Sequence, residues 1–368
     1  MSYIPGDILR VKIPKEGNPE KIRTLGISNF EDKICQKMMH KVLESIYDPI
    51  FLKCSYGFRS GIGCHDAIRG LERHLYDNEV ESIIDIDLAN FFDTIDRRIL
   101  IKILQEKIHD KKLIRYIIRM FKAGILSEGE LIIQEEGAIQ GNIVSPLLAN
   151  IFAHYVLDAW IEGVVKQHCR GTVEVFRYAD DAVICCRYEE DAKRIKVTLA
   201  KRLEKYKLKL NEERTKLVRF SKSKFFQNVK QETFDFLGFT FYLGKSRKGR
   251  VVPKVKSCGK RISSKLKKVN DWCKNIRNKY KLTIIWKSFC SKLRGHIQYY
   301  GVTFNINAVN DFIWKSVKIL FKWLNRRNQR KSFSWEKFKL FIEYNPLPKV
   351  KVYHQILTKE TTMQMKIS

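Results

Sequence analysis

The stretch FRYADDAVICCR (residues 176–187) sets two adjacent carboxylates, Asp180 and Asp181, between apolar runs. The β-branched residues on either side of the pair favour strands, so the sequence predicts a hairpin with both carboxylates at its tip. Two like charges side by side at a tight turn repel each other. A bound cation would remove that repulsion, and the hairpin is therefore a candidate metal site.

A second strand carries acidic groups in the same way. The run ESIIDIDLANFF (residues 81–92) is typical of a strand followed by a turn, and it holds Asp85 and Asp87. A single Asp at a turn has an ordinary structural explanation, because it can cap the following helix. Carboxylates delivered by two strands instead favour a pair of Mg²⁺ ions about 3.5–4 Å apart, an arrangement that supports nucleotidyl transfer.

Charge is distributed unevenly along the chain. The 368 residues carry a formal net charge of +30, and residues 244–368 hold 31 Lys and Arg against 5 Asp and Glu, a net charge of +26. The other 243 residues hold 39 basic and 35 acidic side chains, a net charge of only +4. A basic segment interleaved with Trp and Tyr predicts a polyanionic partner, and nucleic acid fits it better than an acidic membrane surface.

The composition also bears on cellular placement. No run of about 18 apolar residues is present, and the N-terminus MSYIPGDILRVKIPKEG has no apolar signal core, so we expect a cytoplasmic protein that does not enter membranes. The nine cysteines are scattered without a CxxC pair. They are expected to be reduced thiols.

Apolar spacing places the helices. The connector GKSRKGR (244–250) marks a domain boundary, after which the pattern is mainly helical. Before it, the predicted helices lie at about 31–46, 66–75, 97–122, 145–165 and 190–207.

Several motifs in a fixed order resemble those of group II intron-encoded reverse transcriptases, also called intron maturases. The resemblance runs from about residue 3 to residue 354. Its motifs are IPKEGNPEKIRTLGI (13–27), SYGFRSG (55–61), DLANFFD (87–93), QGNIVSPLLANIF (140–152), YADD (178–181), DFLGF (235–239) and LRGHIQYY (293–300). YADD alone is a weak signal, but seven motifs in order and at the expected spacing identify the family.

The resemblance implies an α+β fold of the right-hand polymerase type, with an antiparallel palm sheet and a helical, basic thumb and maturase region. The implied domains are fingers (1–80), a palm with the remaining fingers helices (81–243), a thumb (244–304) and a maturase-type RNA-binding tail (305–368). Compared with relatives, the expected fingers lack an N-terminal extension, and nothing after residue 354 resembles an endonuclease domain.

By the same resemblance, Asp87 and Asp180 are the principal ligands of two Mg²⁺ ions, with Asp181 as a secondary ligand and Mn²⁺ as an alternative metal. Asp85 is the local competitor of Asp87, because both point to one face of the strand. The Phe pair that follows places the ligand of the family at Asp87.

The resemblance also assigns a nucleotide pocket. Phe92 would pack under the incoming sugar and exclude a 2′-hydroxyl, although a core phenylalanine would look the same in sequence. Lys15 and Arg23 would bind the triphosphate, and Gln140 and Gly141 would line the pocket. A cation for the pyrophosphate leaving group would come from NEERTK (211–216), as either Arg214 or Lys216.

Nucleic-acid contacts are expected from the fingers, the thumb and the tail. Tyr299 and Tyr300 lie in the thumb signature, where His296 replaces the Trp of the family, and both tyrosines could equally be core aromatics. The full set of expected contacts is Arg59, Arg294, Tyr299, Tyr300, Arg326, Arg327, Arg330 and Lys331.

Three functions remain open from the sequence. The first is an RNA-directed DNA polymerase that uses dNTPs, a DNA primer and an RNA template, and that also binds group II intron RNA and supports its splicing. The second is a non-catalytic RNA-binding splicing cofactor, and the third is a domesticated reverse transcriptase in phage defence. The sequence carries no signal for the oligomeric state.

Overall fold

The structure, a computed structural model, describes residues 3–15, 18–122, 125–127, 130–132, 141–327 and 334–356. The chain forms two compact units. The first comprises the residues up to Gly70 together with Glu79–Gln227, and the second comprises Leu71–Asn78 and the residues from Asn228 onward. The boundary that the charge shift predicts at residue 244 lies within a strand of the second unit.

The elements up to residue 227 alternate between strands and helices. In chain order they are β1 (Ile8–Lys15), β2 (Asn18–Ile27), α1 (Phe30–Tyr47), α2 (Cys64–Asp77), β3 (Ser82–Ile86), α3 (Phe91–Thr94), α4 (Arg97–Gln105), α5 (Lys111–Lys122), β4 (Ile125–Ser127), β5 (Glu130–Ile132), α6 (Ser145–Ala153), β6 (Val173–Tyr178), β7 (Asp181–Cys186), α7 (Glu189–Lys205), β8 (Lys216–Arg219) and α8 (Lys222–Phe226).

Two sheets organise the first unit. One has the strand order β2-β1-β4-β5, in which β1 and β4 are parallel and the other pairs are antiparallel. The other has the order β6-β7-β3-β8 and is antiparallel throughout. This second sheet confirms the antiparallel palm sheet that the resemblance implies, and we call it the palm sheet.

The two central strands of the palm sheet are covered on both faces. Ile83 and Ile84 in β3 and Val183 and Ile184 in β7 are all fully buried. Fully burying an aliphatic side chain of this size contributes about 1.5–3 kcal/mol. A nearly unbroken apolar run is what such a doubly covered strand requires, and only the residues at the strand ends are free to carry charges.

The helix predicted at about 97–122 is two helices, α4 and α5. The carboxylate of Asp110 accepts hydrogen bonds from the backbone N–H groups of Lys112 (2.7 Å) and Leu113 (3.3 Å) and so begins a new helix. Asp96 caps α4 in the same way, through the N–H of Ile99 at 2.9 Å. Such side-chain caps satisfy amide groups that have no partner in the first turn of a helix.

The helix predicted at about 145–165 begins as the α-helix α6. Two π-helical turns follow it, at His154–Asp158 and Ile161–Val165, and a 3₁₀ turn at Lys166–His168 ends it. Apolar spacing does not distinguish a π-helical turn from an α-helical one. π-helical turns are rare, and they are frequent at functional sites.

From Asn228 onward, the described part of the second unit joins a three-stranded antiparallel sheet of order β11-β10-β9 to four helices. None of the helices that the structure describes is both long and apolar enough to span a membrane. The elements are β9 (Phe234–Phe236), β10 (Phe239–Lys245), β11 (Val251–Ser257), α9 (Gly259–Ile276), α10 (Leu282–Tyr300), α11 (Ile306–Leu324) and α12 (Trp335–Tyr344).

Candidate active site

The FRYADDAVICCR stretch forms the predicted hairpin. β6 and β7 pair up to Tyr178 opposite Asp181, so Ala179 and Asp180 alone form the turn. Asp180 and Asp181 are both exposed at its tip, which confirms the predicted location. Ala179 has a φ of +61°, a left-handed conformation that costs a residue with a Cβ about 1–2 kcal/mol.

Asp87 lies at the same edge of the palm sheet. The last pair between the antiparallel strands β3 and β7 is Ile86 with Ala182. Asp87 and Asp181 each lie one residue beyond that pair, at neighbouring strand ends. The backbone of Asp87 is fixed by the loop before β8. Its carbonyl accepts a hydrogen bond from the N–H of Asn211 at 2.9 Å, and its N–H donates to the Oγ1 of Thr215 at 3.3 Å.

A cation from the same loop contacts Asp87. Nη1 of Arg214 lies 3.4 Å from Oδ2 of Asp87, and both side chains are partly exposed. Lys216, the other candidate from NEERTK, is exposed on β8, where its backbone pairs opposite Asp85. Of the two cations, the structure therefore brings Arg214 to the carboxylate.

The donor chemistry at this edge fits a hard divalent cation. Asp87, Asp180 and Asp181 offer only carboxylate oxygens, which are the ligands that Mg²⁺ prefers. Within the described residues, no three His, Cys, Asp or Glu side chains are grouped closely enough to hold a metal ion. The strand pairing thus brings the donors to one edge without assembling a complete ligand set, and their role as metal ligands stays a prediction.

The ring of Phe92 is supported by two neighbours. Phe92 is half-buried in α3 and makes edge-to-face contacts with Phe91 (ring centroids 5.7 Å apart) and Phe58 (6.2 Å). The preceding Asn90 has a φ of +48°, which turns the chain sharply after Asp87. Phe58 belongs to the SYGFRSG motif, where no sequence pattern marks it as a support for the predicted sugar filter.

Gly141 meets the backbone of β2 closely. A Cβ at Gly141 would lie 2.1 Å from the carbonyl oxygen of Gly26, and its φ is +104°. Both facts explain why a glycine is needed here. Gln140 lies outside the described residues. Lys15 pairs with Asn18 and Arg23 with Ile13 in the hairpin of β1 and β2, where only the backbone of these residues is described.

Arg59 is engaged within the protein. Its Nε donates to Oδ1 of Asp48 at 2.8 Å, Nη1 donates to the carbonyls of Ser55 (3.1 Å) and Leu52 (3.4 Å), and Nη2 donates to the Asp48 carbonyl at 3.2 Å. The guanidinium also lies over the ring of Phe51. These contacts give Arg59 a packing role, and its contact with nucleic acid stays a prediction.

A buried arginine that the sequence analysis missed lies beneath the hairpin. Arg177 is fully buried and forms a two-point ion pair with Asp158, through Nε at 2.7 Å and Nη2 at 2.5 Å. Burial lowers the pKa of Arg177, but the charge and the hydrogen bonds of Asp158 together have the larger effect. The pKa of Arg177 is therefore raised. Nη2 also donates to Oγ of Ser55 at 2.7 Å, and Nη1 donates to Oδ1 of Asn150 at 2.7 Å and to the carbonyl of Ala179 at 3.0 Å. We call these five residues the Arg177 network.

In the second unit, the two thumb tyrosines pack inside the fold. The hydroxyl of Tyr299 donates to the carbonyl of Leu237 at 2.8 Å, and Tyr300 is 1% exposed. Both rings contact Phe239 of the DFLGF motif. These contacts favour the core alternative, whereas Arg294 is exposed on α10 and is free to reach a partner.

Two of the predicted basic residues, Arg326 and Arg327, follow the end of α11. The guanidinium of Arg326 lies 5.3 Å from the Trp323 ring centroid, and Nη2 of Arg327 donates to the carbonyl of Tyr280 at 2.7 Å. Arg330 and Lys331 lie outside the described residues. The binding of nucleic acid by all four stays a prediction.

Comparison with protein families places this site in a known context. The family model described as reverse transcriptase (RNA-dependent DNA polymerase) matches residues 13–241, more than half of the chain. Members of this family generally use divalent metal ions. The matched range includes both carboxylate-bearing strands, β3 and β7.

Curated relatives agree with this match. Over 153 residues the chain is 38% identical to the group II intron-encoded protein LtrA of Lactococcus lactis subsp. cremoris, covering 42% of this chain and 25% of that protein. It is 33% identical over 208 residues to protein YkfC of Escherichia coli K12, covering 51% and 54%. The chain thus spans between about a quarter and a half of the length of these relatives.

Two solved structures that share this fold are telomerases. The apo telomerase of Candida tropicalis, truncated from its C-terminal domain, matches with a TM-score of 0.51 at 14% identity, covering 69% of this chain and 55% of that one. The telomerase of Candida albicans in complex with a fragment of telomeric RNA matches with a TM-score of 0.51 at 11% identity, covering 94% and 65%. The chain has the reverse transcriptase fold and belongs to the reverse transcriptase (RNA-dependent DNA polymerase) family.

Proposed function

We propose that this chain is an RNA-directed DNA polymerase encoded by a group II intron. It would add deoxynucleotides to the 3′-hydroxyl of a DNA primer on an RNA template and would also bind its intron RNA. The observation that carries the proposal is the pairing of β3 with β7, which brings Asp87, Asp180 and Asp181 to one edge of the palm sheet. The similarity to group II intron-encoded proteins supports the intron assignment.

Asp87 and Asp180, with Asp181 as a secondary donor, would hold two Mg²⁺ ions. When bound, such ions activate the primer hydroxyl and neutralise charge on the nucleotide phosphates. The chain contributes the orientation of the carboxylates. β3 and β7 are buried and hydrogen-bonded to each other, so their ends cannot move independently.

Arg214 would stabilise the negative charge of the pyrophosphate leaving group. An arginine stays protonated at every pH at which proteins are folded, so it stabilises developing negative charge without donating a proton. Its flexible side chain already reaches Asp87 at 3.4 Å, at the edge where the triphosphate would lie.

Phe92 would select deoxyribose. Phe92 follows Asp87 by five residues. Its ring packs against Phe58 and Phe91, and these contacts restrict its movement. A 2′-hydroxyl pressed against that ring would lose its water partners without gaining a hydrogen bond, which disfavours ribonucleotides.

Primer extension tests the proposal directly. Purified protein, Mg²⁺ and dNTPs are combined with a DNA primer annealed to an RNA template, and the chain as given is compared with Asp180→Ala. We expect extension by the unchanged chain and a loss of at least about 100-fold in the variant, on the scale seen when one group that stabilises the transition state is removed. Glu190→Ala is the matched control, because it removes one exposed carboxylate from α7.

The affinity for the primer–template duplex should be nearly equal in all three proteins. Equal extension by the chain as given and by Asp180→Ala would overturn the assignment of the active site. No extension by soluble protein that binds RNA would overturn the polymerase and favour the second candidate, a splicing cofactor.

The basic second unit supports that second candidate. Residues 244–368 hold nearly all of the excess positive charge of the chain, whatever the aspartates do. A cofactor without catalysis predicts stimulation of intron splicing that survives Asp180→Ala. Neutralising Arg326 and Arg327 together should then abolish the stimulation, and unchanged splicing in that double variant would count against the cofactor.

A further inference from the structure

The Arg177 network satisfies every donor of a charge that the fold has buried completely. A guanidinium has five N–H groups, and the five bonds to Asp158, Ser55, Asn150 and the Ala179 carbonyl account for all of them. Well-packed apolar residues can often replace a buried ion pair without loss of stability. Stability alone therefore does not explain the buried charge of Arg177, and the direction of its hydrogen bonds indicates another role.

One of the five bonds reaches the hairpin turn itself. Nη1 of Arg177 donates to the carbonyl of Ala179, the turn residue with the left-handed backbone and the immediate neighbour of Asp180. The other four bonds anchor the guanidinium to side chains outside the hairpin. Arg177 therefore ties the turn to Asp158, Asn150 and Ser55, which lie outside the hairpin.

The anchoring residues come from two separate parts of the first unit. Asn150 lies in α6, and Asp158 ends the π-helical turn that follows. Eight residues of α-helix would rotate Asp158 about 80° away from the face of Asn150. The wider π-helical turn reduces that rotation, and both side chains reach the same guanidinium.

The segment 54–57 completes the support. The N–H of Arg177 donates to the carbonyl of Cys54, and the Arg177 carbonyl accepts from the N–H of Tyr56, each at 2.8 Å. Gly57 then lies directly against the turn, because a Cβ there would come within 2.4 Å of the backbone nitrogen of Ala179. The side-chain amide of Asn150 donates to the Gly57 carbonyl at 3.1 Å.

We propose that Arg177 is a positioning residue, which together with Gly57 holds the Ala179–Asp180 turn in its strained conformation and so fixes the direction of the Asp180 carboxylate. The inference rests on the proposed polymerase function only in what that carboxylate does. The part that concerns the shape of the turn stands on the contacts alone.

The test compares Arg177→Lys and Gly57→Ala with the unchanged chain. A lysine keeps the positive charge but cannot make the two-point pair with Asp158 and also reach Ala179. Gly57→Ala leaves the buried charge untouched and displaces the turn by contact. Arg119→Lys is the matched control, because Arg119 also donates to a main-chain carbonyl, that of Tyr3 at 3.1 Å, and lies in α5, which supplies no residue of the Arg177 network.

Two measurements are made on each protein. Hydrogen exchange followed by mass spectrometry reports on the peptide that contains residues 177–182, and primer extension gives kcat alongside the Kd for primer–template. We expect both test variants to exchange faster in that peptide and not in β3. We also expect kcat to fall about 100-fold, the scale of a 1 Å misplacement, with Kd within a factor of three. The control should match the unchanged chain in both measurements.

The outcomes separate the inference from the proposed function. A folded Arg177→Lys protein with unchanged exchange and kcat would overturn the inference. If that variant does not fold, Gly57→Ala decides alone, and unchanged exchange in the turn peptide would overturn it equally. If the unchanged chain shows no polymerase activity, the exchange measurement still tests whether Arg177 and Gly57 hold the turn.

Discussion

The guanidinium of Arg214 lies 3.4 Å from the carboxylate of Asp87. Arg214 precedes β8, which pairs with β3 on the side opposite to the YADD hairpin. The arginine comes from the loop between α7 and β8, which also fixes the Asp87 backbone through Asn211 and Thr215. One short loop therefore orients a carboxylate and supplies the cation next to it.

Removing that cation should weaken nucleotide use. We expect Arg214→Gln to raise the KM for dNTPs and to lower kcat, about 10-fold in kcat/KM, because a partly exposed charge is screened by water. Arg214→Lys should retain most of the activity, since it keeps the charge. Steady-state primer extension measures both. Arg219→Gln, at the far end of β8, is the control, and an equal loss there would show that general surface charge, not Arg214, is responsible.

Phe92 sets a second expectation, for the choice of sugar. Phe92→Ala should admit ribonucleotides, so that the preference for dNTPs over rNTPs in kcat/KM falls by about 10- to 100-fold, the range that one pocket contact can supply. Phe58→Leu, which removes a support without removing the ring of Phe92, should give an intermediate loss. An unchanged preference in Phe92→Ala would leave Phe92 as a core residue only.

Glu72 makes stability depend on pH between about 4.5 and 8. Its carboxylate on α2 is fully buried, and both oxygens lack a hydrogen-bond partner in the described part of the chain. Burial, helped by the charge of Asp77, raises the pKa of Glu72 to about 8. The folded protein thus holds a proton that the unfolded chain releases near pH 4.5.

Stability from Glu72 is therefore complete below about pH 4.5 and is lost as the pH rises toward 8, at up to about 1.4 kcal/mol per pH unit. Glu72→Gln should remove this dependence and raise the Tm at pH 8 relative to the unchanged chain. Thermal unfolding at pH 6 and pH 8 measures the difference. Parallel losses in both proteins would contradict the assignment to Glu72.

His296 acts on the acidic side. It is 5% exposed, its ring stacks on Phe312, and neither ring nitrogen has a hydrogen-bond partner among the described residues. Burial, with the nearby charge of Lys265, lowers the pKa of His296 to about 3. In the unfolded chain His296 binds a proton near pH 6.5, whereas in the folded protein it stays neutral down to about pH 3. The free energy of unfolding therefore decreases as the pH falls from 6.5 toward 3.

His296→Phe keeps an aromatic ring on Phe312 and has no nitrogen to leave unpaired. We expect it to raise the Tm and to flatten the acidic side of the stability profile, as measured by thermal unfolding between pH 4 and pH 7. A lower Tm across that range would show that the imidazole makes a contact which the phenyl ring cannot replace.

The basic second unit leads to a prediction about salt. If the Lys and Arg residues of α9, α10 and α11 contact about 6–10 phosphates, affinity for primer–template should fall by about 10³–10⁵ between 50 and 200 mM salt. Binding measured across that range gives the slope. Arg294→Gln should reduce the slope by about one phosphate contact and leave the Tm unchanged, because its side chain is exposed. A flat profile would exclude the basic unit as the binding surface.

The parts of the site that follow a short-range pattern could be predicted from the sequence. The YADD hairpin and the strand before Asp87 are alternations of apolar runs with charges at the ends, and periodicity is enough to find them. The Arg177 network could not be found this way. Its partner Ser55 is 122 residues away, and Asp158 comes into reach through a π-helical turn that leaves no mark on the spacing of apolar residues.

Residue type alone does not show which long side chains turn inward. Arg59 of the SYGFRSG motif is held by Asp48, and Arg177, which directly precedes YADD, is 1% exposed. Tyr299 and Tyr300 likewise carry hydroxyl groups that could contact nucleic acid at a surface, but the hydroxyl of Tyr299 donates to the main-chain carbonyl of Leu237. Burial of polar side chains depends on distant partners, and no local pattern encodes those partners.

The π-helical turn at His154–Asp158 holds one residue more than an α-helical turn would need. That extra residue lets a separation of eight residues do what seven α-helical residues would do, because seven α-helical residues complete almost two full turns and would return Asp158 to the face of Asn150. If the same eight residues were wound as regular α-helix, Asp158 would face about 80° away and the YADD turn would lose its anchor. In this fold, the hydrogen-bonding pattern of a helix decides which polar residues meet, as much as their spacing in the sequence does.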